Sequence, residues 1–236
     1  MLAGLDLNEV MVIDIETVPQ YPDAGAVPAY IMELWAAKTR FQRKEQTAEE
    51  FYQNAGIQAE FGKIICISAG IFNFRQGNRE FRLKSFYGHD ENQLLHEFGL
   101  LLSRQTAARS FCAHNGKEFD FPYLCRRLLA NDLPLPKQLQ LWGKKPWQVS
   151  HIDTMELWRF GDQKNFTSLN LLAAVFGIPT PKDDMDGSQV RTVYYEENNL
   201  ERIVNYCQKD VVTTAQILLK FKGEPLLEEE NINIIN

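Results

Sequence analysis

The chain has 236 residues, of which 44% are hydrophobic and 24% charged, with a formal net charge of −6. That balance is the one of an ordinary soluble globular protein and excludes a disordered chain or a protein that coats nucleic acid through a strongly basic face. No run approaches the roughly 20 apolar residues of a membrane span, and the start MLAGLDLNEV lacks the basic and apolar regions of a signal peptide. A cytoplasmic protein without membrane contact is the default expectation. The length fits a single α/β domain over residues 1–236 with insertions. Cys66, Cys112, Cys125 and Cys207 are widely spaced, without a CxxC pair, and read as buried thiols rather than structural zinc ligands. His89, His96, His114 and His151 form no HExxH pattern, so any catalytic metal would be held by oxygen.

Asn8 to Val18 (NEVMVIDIETV) reads as a buried central strand ended by Pro19. Residues 21–62 are more polar, with helices expected around Ala29 to Arg40 and Thr47 to Asn54, and read as a helical insertion after the first strand. Lys63 to Phe74 and Phe81 to Tyr87 are strand-like and joined by RQGNRE, which has hairpin-turn chemistry. Asp90 and Gln93 resemble a capping box for a helix over Glu91 to Arg104, whose Leu94, Leu95, Phe98, Leu101 and Leu102 share one face. Arg109 to His114 is a second core strand. Asp120 opens an amphipathic helix, Phe121 to Ala130, and Pro134, Pro136 and Pro146 mark a long loop. His151 to Met155 reads as a last short strand, Thr167 or Ser168 caps a helix through Ala174, and Pro181 to Val190 is a polar loop. Leu200 to Lys220 is a long helix. Residues 223–236 form an acidic C-terminal tail with no evident chemistry. A hairpin followed by strands alternating with helices makes a mixed sheet flanked by helices.

Three stretches carry acids into special settings. Residues two apart on a strand face the same side, roughly 6.6 Å along it, so Asp14 and Glu16 project together from an apolar strand, where ionised groups are costly unless paired or metal-bound. A lone Asp-x-Glu at a strand edge pointing into water is the plain alternative. Asp120 follows the turn Asn115-Gly116-Lys117-Glu118-Phe119 and enters a helix N-terminus, where the dipole favours an anion; a simple helix cap explains it as well. Tyr206 and Asp210 are neighbours on one helix face, about 5 to 6 Å apart at Cβ. With a reference pKa near 10, Tyr206 is a neutral hydrogen-bond partner for a water, or else a packed tyrosine satisfied by an acid.

Their conjunction, in this order and across Met11 to Lys220, resembles the tyrosine-containing DEDD 3′-to-5′ exonucleases, and especially the proofreading exonuclease domain of B-family DNA polymerases. The resemblance implies an RNase H-like fold and in-line attack of water on the terminal phosphodiester with two divalent metal ions, Mg²⁺ or Mn²⁺. It implies that Asp14 bridges both metals, that Glu16 and Asp210 support the one that activates water, that Asp120 holds the other, and that Tyr206 positions the nucleophile. Thr17 becomes a candidate contact to the 3′-terminal nucleotide, and Asn115 and Phe119 to the strand behind it. Two divalent ions would move the formal charge from −6 to −2 and invert the local field.

The sequence departs from that of a polymerase-linked proofreader in its long segment 21–62, and no polymerase domain is expected. The loop TPKDDMDGSQV brings Lys182, a candidate phosphate contact, beside Asp183, Asp184 and Asp186, which lack the closing Glu of an EF-hand. Neither His114 nor His151 takes a catalytic role, because the helical position belongs to Tyr206, and Asp153 stays outside the core set. The expected substrate is a single-stranded 3′ end, DNA ahead of RNA, with a DNA polymerase or repair protein as the expected partner. The competing readings are an RNA-processing exonuclease and an inactive nucleic-acid-binding or polymerase-docking module.

Overall fold

The strand at the centre of the sheet is the one the sequence makes most apolar. In the computed structural model, which describes residues 2–75, 78–104, 110–179 and 185–235, β1 runs from Val10 to Pro19. It pairs antiparallel with β2 (Gly62–Arg75) and parallel with β4 (Ser110–Ala113). β3 (Asn78–Tyr87) extends the antiparallel ribbon, and β5 (Ile152–Asp153) lies parallel to β4. With β6 (Ile232–Ile235) beside β3, the order is β5-β4-β1-β2-β3-β6. This mixed sheet flanked by helices is the RNase H-like α/β arrangement expected from the sequence.

The two-residue period of a strand divides β1 between two cores. Met11, Ile13 and Ile15 pack with Leu94, Leu95 and Phe98 of α3 (Glu91–Ser103) and with Phe121, Leu124 and Leu128 of α4 (Asp120–Ala130). Val10 and Val12 point the other way, onto Val211, Ala215, Leu218 and Leu219 of α8 (Leu200–Lys222). Val18 continues that second face against Ile203. Asp14 and Glu16 share its parity and are therefore delivered to the side that α8 covers. Asn199 caps α8 by accepting from the Arg202 amide, and Gly223 ends it at φ 70°, a left-handed conformation that favours glycine. Opposite Glu16 and Thr17 the ladder skips Ile65, since Glu16 faces Cys66 and Thr17 faces Ile64. This bulge sends both Ile65 and Cys66 toward α8.

Between β1 and β2 stand α1 (Ala29–Thr39) and α2 (Ala48–Phe51), the latter running into a 3₁₀ turn over Tyr52–Ile57. Thr47 and Glu50 form a complete capping box. Trp35 is fully buried, donates to the Ala48 carbonyl at 2.8 Å and meets Phe51, Tyr52 and Phe61 at 5.1–5.7 Å, so this segment has an aromatic core of its own.

Several elements differ from the sequence reading. The strand expected over His151 to Met155 stops at Asp153, whose carboxylate accepts from the Met155 and Glu156 amides and opens a helix, α5 (Thr154–Arg159). Before α8 come α6 (Leu169–Val175), capped by Ser168, and an unexpected α7 (Val190–Tyr195). The composition of α7, VRTVYY, favours a strand, but Val190, Val193 and Tyr194 pack against Val18, Ile65 and Ile203 and override that propensity. The tail 223–236, assigned no element from its sequence, supplies β6 at the sheet edge. Asp90 caps α3, yet Gln93 turns to Glu97 instead of returning to the Asp90 amide, so only half of that capping box forms. The hairpin strands reach Arg75 and Asn78, and residues 76–77 lie outside the described ones.

Candidate functional site

Asp14 and Glu16 reach the α8 face from an apolar strand, and neither escapes to open water. Glu16 is only 7% exposed, and Asp14 is partly buried. Burial first, then the neighbouring carboxylates, raises both well above the ordinary range: Glu16, Asp120 and Asp210 act on Asp14, and Asp210 and Asp120 act on Glu16. Cys207 adds a thiol to this group. Its Sγ lies 3.3 Å from Asp14 Oδ2, and ligand atoms of Asp14, Glu16 and Cys207 all fall within 4.8 Å of one another.

Asp120 arrives from a different element. Past the end of β4 the chain turns sharply, with Asn115 at φ 63°. Gly116 cannot carry a side chain there, because a Cβ would lie 2.4 Å from Ala113 Cβ and 2.9 Å from the Phe121 ring. Asp153 fixes the turn by accepting from the Asn115 and Lys117 amides, each at 3.0 Å. Asp120 then begins α4, only 3% exposed, with its own amide and that of Ile15 donating to its carboxylate. Those bonds favour the anion but do not offset desolvation, and its pKa rises to about 7.

From α8, Tyr206 and Asp210 face the same group one turn apart. The Tyr206 hydroxyl is hydrogen-bonded to Asp210, and burial together with Asp210, Glu16 and Asp14 raises its pKa far above the ordinary phenol value, which keeps it neutral. A set of oxygen donors in which burial and neighbouring acids oppose the ionisation of Asp14, Glu16 and Asp120 fits divalent cations, which prefer oxygen ligands. Asp14, Glu16, Asp120 and Asp210 are the residues that could hold them.

A cleft of ≈ 490 Å³ opens beside the acids, with Glu16, Thr17, Asn54, Phe119, Ser188 and Arg191 in its wall. Two of the expected substrate contacts, Thr17 and Phe119, therefore face it. The Thr17 hydroxyl bonds Tyr123, whose own hydroxyl donates to the Gly56 carbonyl at 2.7 Å, tying β1, α4 and the 52–57 turn together. Asn115 is not in the cleft wall; its Oδ1 is buried without a partner among the described residues. Lys182 lies outside the described residues. His114 is bound to Thr154 and the Thr167 carbonyl, and His151 sits between the Phe111 amide and the Gln138 carbonyl, its pKa lowered by burial to about 4. Both are structural.

Three residues stand at the site that the sequence reading does not assign to it: Asp153 stays outside the core set, Cys207 reads as a buried thiol, and Arg191 is not singled out. Asp153 left a signal, an Asp three residues before Glu156 in capping-box spacing. Arg191 and Cys207 left none, since only the fold brings them to Thr17 and Asp14.

No curated protein matches the chain. A family model matches residues 55–230, a range that contains Asp120, Tyr206 and Asp210 and begins after β1. The chain belongs to the family described as predicted 3′-5′ exonuclease related to the exonuclease domain of PolB.

Proposed function

We propose that the chain hydrolyses terminal phosphodiesters at the 3′ ends of single-stranded DNA, releasing nucleoside 5′-monophosphates with two divalent ions, Mg²⁺ or Mn²⁺. The observation that carries this reading is the gathering of Asp14, Glu16 and Asp120, each with its pKa raised by burial and by other acids. The ions would supply positive charge that stabilises the attacking and leaving oxygens. Asp14, Glu16, Asp120 and Asp210 would hold the ions, Asp14 in common, Glu16 and Asp210 for the ion that activates water and Asp120 for the other, as the resemblance to the DEDD exonucleases implies. Tyr206 stays protonated and orients the attacking water through its hydroxyl. In the cleft Thr17 contacts the 3′-terminal nucleotide and the Phe119 ring stacks on a base of the strand behind it. DNA is favoured because the family is defined by its relation to a polymerase exonuclease domain.

The test is digestion of 5′-labelled single-stranded DNA and matching RNA with Mg²⁺, Mn²⁺ or EDTA, beside a 3′-blocked DNA. A metal-dependent ladder that shortens from the free DNA 3′ end supports the reading. A ladder on RNA alone would move the substrate to RNA. Folded protein that binds the oligomers without cutting them would replace the enzyme by a binding module.

A further inference from the structure

Residues 133–150 contain Lys137, Lys144 and Lys145 and no Asp or Glu, in a chain whose net charge is −6. The same stretch holds Trp142 and Trp147 at 69% and 73% exposure. A single exposed ring needs no explanation, but two tryptophans interleaved with lysines and free of acids form a composite surface. Lys145 Nζ stands 5.2 Å from the centroid of the Trp147 ring. Among the described residues, neither the Lys144 nor the Lys145 ammonium is in an ion pair.

Below Trp142 a hollow of ≈ 330 Å³ follows the outer side of α4, with Lys117, Phe121, Arg126, Leu129 and Lys144 in its wall. Its near end is the Asn115–Asp120 turn, which contributes Lys117 to the hollow and Asp120 to the acidic group. From Phe121 to Leu129 the helix advances about 12 Å, so the hollow leads away from the acids along one helix.

We infer that this face of α4, with Trp142, Lys144, Lys145 and Trp147, is a second contact surface for single-stranded nucleic acid, holding the strand behind its 3′ end. The inference rests on the exonuclease reading for which end of the strand lies in the cleft. Indole rings stack on any base, and ammonium groups neutralise phosphates without reading sequence. Lys117 is paired with Glu156 at 2.6 Å, so Lys144 and Lys145 supply the charge that selects the partner: an apolar groove alone would suit a protein, whereas two lysines beside exposed indoles suit a polyanion.

The test uses the full chain carrying Asp14→Ala, which binds without cutting, in EDTA. Tryptophan fluorescence and oligomer anisotropy are followed during titration with a long oligothymidylate and with a trinucleotide. The long oligomer should quench the tryptophans and the trinucleotide should not. Adding Trp142→Ala with Trp147→Ala should weaken binding of the long oligomer about tenfold. Lys144→Ala with Lys145→Ala should lower the slope of log affinity against log salt by about 1.4. In the otherwise native chain, the tryptophan pair should leave trinucleotide cleavage unchanged. Wild-type affinity for the long oligomer in the tryptophan variant, or an unchanged salt slope in the lysine variant, would overturn the inference. The two readings fail separately: tryptophan-dependent binding without cleavage removes the enzyme, and cleavage with tryptophan-independent binding removes the surface.

Discussion

Two buried clusters of ionisable groups lie close to the ends of α4, and their partners differ completely. At one, Glu91 and Arg127, 8% and 7% exposed, form a closed set. Glu91 accepts from the Ile64 amide at 2.7 Å, from Arg127 at 2.9 and 2.5 Å, and from Asn131 at 3.0 Å, while Arg127 also donates to the Ala59 carbonyl. At the other, Asp14, Glu16 and Asp120 meet further acids, and among the described residues it is burial and those acids that lead the shifts of Asp14 and Glu16. The first cluster joins α3, α4 and β2 and finishes its own electrostatics within the chain. The second is finished only by something added, which separates charges that build the fold from charges that serve a ligand.

The largest effect that sharpens this contrast is on turnover. Asp14→Ala or Asp210→Ala should reduce cleavage by about a thousandfold or more, several kcal/mol of transition-state stabilisation, with the circular dichroism spectrum retained. Wild-type rates in both would dissolve the assignment of the acidic cluster. Arg127→Ala should act in the opposite way, on stability, costing about 3–5 kcal/mol by leaving Glu91 buried and unpaired. Urea unfolding measures it, and a loss below about 1 kcal/mol, the scale of an exposed pair, would break the comparison.

Smaller effects follow from protons. Tyr206→Phe should slow cleavage about tenfold, the scale of one hydrogen bond, while Mg²⁺ or Mn²⁺ still raises the melting temperature; loss of that metal-induced shift would make Tyr206 part of the metal site. The Asp120 pKa is raised in the folded chain, so the folded state holds the proton more tightly than the unfolded one. Its contribution to stability is present below the ordinary value of 3.8 and is lost as pH rises through about 7. In EDTA, Asp120→Asn should therefore remove part of the stability decline between those limits, read from melting temperatures across pH. An identical decline in the variant would contradict the shift.

Much of this was legible because it is periodic. The alternation in MVIDIE gave both cores of the sheet, and the apolar spacing of α3, α4 and α8 gave the covering helices. The five residues of the acidic group stand in settings legible one by one, Asp-x-Glu on a strand, Asp120 at a helix start and Tyr-x-x-x-Asp on a helix. Each alone has a plain structural reading, and only their order, through its resemblance to the DEDD exonucleases, joins them. What stayed hidden depends on contacts distant along the chain. Asp153 holds amides in a turn near Asn115, and Cys207 touches Asp14, 193 residues away. The helix α7 and the edge strand β6 were invisible for a related reason: six residues with strand propensity, and four in an acidic tail, take their form from the surfaces that receive them.

The skipped residue Ile65 has a consequence for how such chains are recognised. Cys66 already stands opposite Glu16 and Ile64 opposite Thr17, so deleting Ile65 would leave every motif letter in place and heal the ladder without turning any other residue over. What would go is Ile65 itself, the β2 side chain that packs with Val18, Val193, Tyr194 and Ile203 in the cluster against which Tyr206 rests. The sequence would still read as a nuclease while the packing behind Tyr206 lacked one side chain, so a single inserted residue in β2 belongs to the site as much as its acids do.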